Sequence, residues 1–400
     1  MGASRSTAYD VVLLGATGFT GGLTAERLAC APASLRWAIA GRDPARLESV
    51  RQRIAGLGAA GPNVGVLAAD VHDPASLRRL AEQTSVVATT VGPYVESGEP
   101  VVAACADTGT DYVDLTGEQE FVDRMWMVHQ ARAATTGARL VHSCGFDSIP
   151  PDIGAYFTVQ QLPEAVPLTV AGYVRAGGTL SGGTYHSAVR AFSRARQSSA
   201  VSAQRHKVEG RGADGRRVRA LAARPTKAPD GRGWALPLPT IDPVVVRRSA
   251  RALPRYGPDF SYGHYALVRT LPVAIAAPAL LGGMLGVSQL PFGRDLLLRL
   301  RRQGDGPSAL QRAKSWFTVR FVGTGGGQRV VTEVSGGDPG YDETATMLSQ
   351  AALCLALDDL PETAGQVTTA QAMGDALLGR LQEAGLTVRV VESGGAERGE

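Results

Sequence analysis

The residues with chemistry to offer in this 400-residue chain begin at Gly15, Gly18 and Gly21, three apart in Asp10-Val-Val-Leu-Leu-Gly-Ala-Thr-Gly-Phe-Thr-Gly-Gly22. Glycine permits turn dihedrals closed to other residues, lets a pyrophosphate approach the backbone, and lets a helix pack tightly on a strand. With the apolar run Val11 to Leu14 before them and the helical stretch Phe19 to Cys30 after, they predict a strand, a turn and a helix whose first N–H groups meet phosphates. Gly15, Thr17, Gly18, Phe19, Thr20 and Gly21 are the expected dinucleotide contacts. The spacing is GxxGxxG rather than GxGxxG, so the assignment leans on its context. A second strand pattern, Leu35 to Ala40, ends at Gly41-Arg42, where such a unit meets the adenosine ribose. Arg42 would set a guanidinium beside a 2′-phosphate, which favours NADP(H). In the alternative, Asp43 takes the ribose and Arg42 is a solvated loop residue.

The elements that must hold this site follow a βα rhythm. Helices are predicted over Pro44 to Leu57, Pro74 to Gln83, Glu99 to Thr108 and Glu118 to Thr136, and strands over Val64 to Ala69, Val86 to Val91, Asp111 to Leu115 and Arg139 to Ser143. Asp70 and the Val91-Gly92-Pro93 loop then lie beyond carboxyl ends of strands, where ligands of open parallel sheets bind. The fold class is α/β: a doubly wound Rossmann-type parallel sheet over residues 1–150, with a second, mostly antiparallel α+β domain over 151–340. In that second part a helix starts near Pro150 with Asp147 or Ser148 as its cap, and Leu168 to Arg175 is strand-like. Arg205 to Pro243 reads as long excursions with little core. Trp316 to Val322 and Arg329 to Ser335 are strands joined through Gly323 to Gly327. Asp342 to Leu357 is a long helix, Leu386 to Val391 a short strand, and Glu392 onward a frayed acidic tail.

Composition sets limits. Forty-four per cent apolar and 20% charged residues suit a soluble globular protein of about two domains. The four cysteines, Cys30, Cys105, Cys144 and Cys354, form no CxxC pair, which points away from disulfides and zinc and toward a reducing cytoplasm. The short stretch before the first strand leaves no room for an export signal, and the Met1-to-Ser6 match to a myristoylation pattern is too brief to weigh. Twelve Lys or Arg residues stand against three acids between Arg190 and Arg232, a basic lobe suited to an anionic partner or simply a solvated surface. It lacks the interleaved aromatics of a nucleic-acid binder. Leu271 to Leu290 is the most apolar stretch, interrupted by proline and glycine. A buried helical hairpin, an interfacial surface touching lipid or an acyl chain, and a membrane span compete for it.

Gly15-Ala-Thr-Gly-Phe-Thr-Gly21, Ala40-Gly-Arg42, Thr90-Val-Gly-Pro-Tyr94, Thr110-Asp-Tyr-Val-Asp-Leu-Thr-Gly-Glu118 and His142-Ser-Cys-Gly-Phe-Asp-Ser-Ile-Pro150 resemble the saccharopine dehydrogenase-like oxidoreductases. Ser181-Gly-Gly-Thr184, Phe260-Ser-Tyr-Gly-His-Tyr265, Lys314-Ser-Trp-Phe317 and Ser335-Gly-Gly-Asp-Pro-Gly-Tyr341 resemble one actinobacterial branch, the trans-acting enoyl reductases. The resemblance implies NADPH-dependent reduction of a carbon–carbon double bond on a polyketide or fatty-acyl intermediate, supplied in trans to a synthase. It also implies that residues 341–390 return to the nucleotide domain. An acidic acyl carrier protein would suit the basic lobe. A dehydrogenase acting on an imine or secondary amine, and a non-catalytic nucleotide-binding protein associated with a membrane, are the alternatives.

Hydride transfer to an enoyl thioester generates an enolate, so a hydrogen-bond donor near the thioester oxygen and a proton source for the α-carbon are needed. Tyr94, beyond the fourth strand, is the first candidate, with packing against the cofactor as its bland reading. Tyr112 and Asp114 share one face of the fifth strand and could act or serve as core and cap. Tyr185 and His186 open a helix after glycine turns, where backbone N–H groups could receive a carbonyl or phosphate oxygen or form a simple capped turn. Cys144 is expected as a small buried hydrophobe, Asp147 as a helix cap before a proton carrier, and His264 in a loop that could line the substrate mouth. No metal-ligand cluster or nucleophile elbow is present.

Overall fold

The computed structural model describes residues 7–177, 189, 193–210, 215–289, 292–293 and 306–395. Along the chain, Tyr9–Leu14 (β1), Trp37–Gly41 (β2), Gly65–Ala68 (β3), Thr84–Thr89 (β4), Asp111–Asp114 (β5) and Arg139–Val141 (β6) alternate with helices. The strands Leu168–Gly177 (β7), Arg217–Ala220 (β8), Thr226–Lys227 (β9), Trp234–Pro237 (β10), Asp259–Val268 (β11), Trp316–Gly325 (β12) and Gln328–Gly336 (β13) follow. Gly365–Val367 (β14) and Thr387–Gly395 (β15) come last.

The chain divides into two compact units. The first comprises Met1–Phe146, Gly304–Gly306 and Gly340–Ala384. Its sheet runs β14-β6-β5-β4-β1-β2-β3, parallel throughout, so strand order reverses between β1 and β4 and opens the crevice where such folds take ligands. The runs Val11–Leu14 and Val86–Ala88 are fully buried, as strands covered by helices on both faces must be. The Asp342–Leu357 helix packs on β1, β4 and β5. The three-residue β14 adds an edge that the alternating pattern did not signal, pairing with β6.

The second unit comprises Asp147–Gln303, Pro307–Pro339 and Gly385–Glu400. Its mixed sheet runs β15-β13-β12-β7-β11-β10-β9, with β8 beside β11. The helices Ile149–Gln160 and Asp242–Ala252 cover one face. Inward side chains alternate as period two requires: Phe260, Tyr262 and His264 on β11, Phe317, Val319 and Phe321 on β12. The β12–β13 hairpin turns tightly at Gly326 and Gly327 (φ 56° and 74°), two adjacent positive values that a type I′ turn demands.

Several expectations need correction. The stretch read as excursions, Arg205 to Pro243, carries the last turn of the Ala195–Glu209 helix and strands β8 to β10. The tail expected to fray extends β15 to Gly395 through pairing with β13, so residues 385–395 belong to the second unit. Residues Leu271–Ser288 form one helix with Leu271, Val273, Leu280, Leu285 and Val287 exposed, which removes the buried hairpin. Among the described residues no helix is long and apolar enough to cross a membrane.

Candidate active site

The glycine turn sits at the crevice between β1 and β4, and its three glycines do different things. Gly15 has φ +97°, and an added Cβ would lie 2.8 Å from the Thr90 hydroxyl and from Val91. Gly21 is buried on the first helix, where a Cβ would fall 2.1 Å from the Gly15 carbonyl oxygen. Gly18 is exposed, and its Cβ would meet that same oxygen at an ordinary 3.4 Å. Two glycines thus close the turn on itself and the third keeps its outer surface bare. That surface, at the start of the Phe19–Ala29 helix whose first-turn amides have no carbonyl four residues back, fits a pyrophosphate. The Thr90 hydroxyl donates to the Gly15 carbonyl (3.2 Å), tying the β4 loop to the turn. The ring of Phe19 packs edge-on against Tyr341, 4.8 Å between centroids, and Thr24 donates to the Thr20 carbonyl.

At the end of β2, Arg42 is exposed. One oxygen of Asp43 accepts the N–H groups of Ala45 (3.0 Å) and Arg46 (3.1 Å), capping the Pro44–Ile54 helix. Asp43 is thereby directed at its own helix rather than a ribose. Arg46, which sequence reasoning missed, reaches the Thr17 carbonyl at 3.3 Å and brings a second guanidinium to the rim of the turn. A guanidinium one turn into the second helix has no spacing signature, so only the fold reveals it. Asp70 is half-buried beyond β3 and accepts the His72 N–H at 3.0 Å in a local turn.

Beyond β4 to β6 the candidates Tyr94, Tyr112 and Asp114 are brought together, but as a support layer. The Tyr94 hydroxyl donates to the Thr89 carbonyl (3.0 Å) and accepts the Leu115 N–H (3.1 Å), so it is committed on both sides. Burial and the Asp114 carboxylate push this phenol well up, so it holds its proton more tightly. Asp114 is fully buried: Oδ1 accepts the N–H groups of Thr116 (3.0 Å) and Ser143 (2.8 Å), while Oδ2 pairs with the Tyr112 hydroxyl (2.9 Å) and His142 Nδ1 (2.7 Å). Ser143, at φ +63°, holds its left-handed backbone through that bond and a 2.6 Å bond to the Thr116 carbonyl. The network fixes the loops after β5 and β6. His142 belongs to it and was missed as a separate residue. Val91, Gly92 and Pro93 border this edge, the Val91 N–H bonding Thr89 Oγ1 at 3.2 Å. Cys144 is buried, its thiol 3.4 Å from the Val141 carbonyl, as a packed residue.

The second unit holds a cluster that sequence spacing could not assemble. His264 lies on β11, not in a loop, and is buried. Its Nδ1 is 3.0 Å from the Tyr262 hydroxyl and its Nε2 3.6 Å from Asp242 Oδ2. Thr240 donates to the same Oδ2. Asp242 Oδ1 is buried with no hydrogen-bond partner among the described residues. Burial, with the neighbouring Asp147 carboxyl, pushes Asp242 well above the ordinary carboxylate range. Burial raises Asp147 too, and lowers His264 from 6.5 to about 3. Asp147 is therefore no cap: Ser148 occupies the cap position, and its hydroxyl donates to the Asp147 carbonyl instead. Asp152 takes the Ser249 hydroxyl nearby. Tyr185 and His186 lie outside the described residues.

A bare glycine turn at the switch point, exposed guanidiniums beyond β2 and a buried polar layer under the ligand edge mark a Rossmann-type dinucleotide-binding unit of an oxidoreductase. The saccharopine dehydrogenase NADP binding domain family matches residues 11–140. A trans-acting enoyl reductase of Mycobacterium ulcerans is 34% identical over 418 residues, 96% of this chain and 98% of that one. Another, of Mycobacterium tuberculosis, is 35% identical over 417 residues, covering 95% and 97%. The solved apo saccharopine dehydrogenase (L-Glu forming) of Saccharomyces cerevisiae shares the fold at TM-score 0.54 and 12% identity, over 96% of this chain and 100% of that chain. The chain belongs to the saccharopine dehydrogenase-like oxidoreductases, in the trans-acting enoyl reductase family.

Proposed function

We propose that this protein reduces the double bond of an enoyl group on a polyketide or fatty-acyl chain presented in trans by a carrier protein or synthase. The near-full-length likeness to trans-acting enoyl reductases carries this reading. NADPH, when bound, supplies the hydride. Addition at the β-carbon leaves an enolate, and the α-carbon must then take a proton. Within the second unit Asp242, with Oδ2 occupied by Thr240 and Oδ1 unpartnered among the described residues, is the group whose chemistry suits giving a proton. The carboxylate left behind regains a proton from solvent before the next turnover; His264 Nε2, 3.6 Å from Oδ2, flanks it beyond hydrogen-bond reach. Burial, and secondarily the charge of Asp147, keeps Asp242 in its acid form. Tyr94, Tyr112 and Asp114 act as positioning residues for the loops of the nucleotide unit.

An imine substrate bearing several carboxylates fits less well, because the buried cluster of the second unit carries the carboxyls of Asp147, Asp152 and Asp242. A carrier protein with an acidic surface suits the second unit, where Arg196, Lys207, Arg217 and Arg224 are exposed. Peripheral contact with a membrane belongs to the same reading, since a long acyl chain partitions there.

Loss of nicotinamide absorbance with an enoyl-pantetheine thioester as acceptor tests the activity. NADPH binding without turnover on any enoyl acceptor would overturn it in favour of a nucleotide-binding scaffold. On the cofactor side, Arg42→Ala should cost about 1.5–3 kcal/mol of NADPH binding, on the order of tenfold to a hundredfold, and leave NADH affinity unchanged. Fluorescence titration with both nucleotides reads this directly. An equal loss for NADH and NADPH would mean that Arg42 does not meet the 2′-phosphate.

A further inference from the structure

The Leu271–Ser288 helix contains no charged residue, and its side chains are apolar except for Ser288 at its end. Leu280 is 67% exposed, Leu271 and Val273 are each 49% exposed, and Phe292 just beyond is 82% exposed. At about 100° per residue, Leu271 and Leu280 lie on opposite sides of the helix, whereas the buried Ala274 and Ser288 fall within about 40° of each other. Among the described side chains of this helix only Ala274 and Ser288 are buried, and large apolar side chains stand in water on both flanks. A folded partner or a second copy of the chain would cover one side and leave the opposite leucine solvated. A fluid of acyl chains surrounds both.

Charge and length narrow the occupant further. Arg269 is exposed one residue before the helix cap, and the sequence holds no Asp or Glu from Phe260 to Arg294. Anionic headgroups suit that balance better than neutral ones. Eighteen residues at about 1.5 Å each reach about 27 Å, short of a full hydrocarbon core, with Pro272 in the first turn and Pro278 within the run. A helix of this kind lies in the membrane plane rather than crossing it.

We propose that the Leu271–Ser288 helix is an in-plane anchor that immerses in the acyl boundary of an anionic bilayer, with Arg269 at the headgroups. The anchor deepens the peripheral membrane contact of the proposed function by naming the element that makes it, and does not depend on the reductase chemistry. The test is flotation of the full chain with phosphatidylglycerol–phosphatidylcholine vesicles and with phosphatidylcholine vesicles, for the parent protein and for the double variant Val273→Asp, Leu280→Asp. Both side chains are exposed, and NADPH titration reports that each protein is folded independently of lipid. The parent protein is expected to float with anionic vesicles, less with neutral ones, and the double variant to lose about tenfold or more of its vesicle partitioning. Equal flotation of parent and variant overturns the anchor. So does absence of flotation, whether accompanied by a concentration-dependent dimer that the variant dissolves or by a raised KM for an acyl substrate in the variant.

Discussion

Asp242→Asn is expected to lower kcat by about two to four orders of magnitude, the usual worth of a positioned proton donor, while raising thermal stability at neutral pH. The two effects have one cause. Asparagine matches the shape of the acid and can still accept the Thr240 hydroxyl, but it has no proton to give. Burial raises the Asp242 carboxyl, so the folded state binds this proton more tightly than the unfolded chain does. The stability that the acid contributes is present in full below the ordinary carboxylate range. It is lost progressively as pH climbs from there toward the elevated folded-state value. Removing the titratable group removes that loss, so the variant's melting temperature should fall less with rising pH than the parent's. The facing groups Asp147, Tyr262 and His264 remain and keep their own titrations. Single-turnover kinetics and calorimetric pH profiles check both arms. A stable variant with undiminished kcat would remove Asp242 from the reaction, and a variant that loses stability would make it structural.

Gly21→Ala and Gly18→Ala, one turn of helix apart, should fail in opposite ways. At Gly21 the new methyl would stand 2.1 Å from the Gly15 carbonyl oxygen, a backbone atom already fixed by the Gly18 and Thr90 hydrogen bonds. The first helix cannot then pack against β1, and the cost exceeds about 3 kcal/mol, enough to deplete folded protein. At Gly18 the methyl fits the protein but occupies the bare surface offered to the pyrophosphate. The melting temperature should hold within about 2 °C, and NADPH affinity should fall about tenfold or more. Paired thermal melts and nucleotide titrations separate the cases. A normal Gly18→Ala affinity would move the phosphates off this turn.

Much of the nucleotide unit was legible because its signals are local. The buried runs of β1 and β4, the glycine turn and the 99–108 and 342–357 helices each declare themselves within a few residues. Boundaries slipped where tertiary contacts override propensity. Strand β6 stops at Val141 rather than Ser143 because Ser143 turns left-handed to put its N–H on Asp114. His264 was misread because a polar side chain at an inward position breaks the apolar alternation that Phe260 and Tyr262 begin. The pairing of Asp147 with Asp242 joins residues far apart in sequence, and no spacing rule spans such a gap. Residues 392–395, exposed Glu-Ser-Gly-Gly, continue the strand read over Leu386 to Val391 and show strand character only beside β13.

The interrupted path of the chain through its first unit has a consequence for biosynthesis. Strands β1 to β6 are complete once Val141 has emerged, yet the helix that packs on β1, β4 and β5 starts only at Asp342. At about 5–20 residues per second the ribosome needs roughly 10–40 s to deliver it. Throughout that interval a nascent sheet of Val, Leu and Ala presents an uncovered face. A fragment ending near residue 150 would keep that face permanently, and would be a client for chaperones rather than a free-standing nucleotide-binding module.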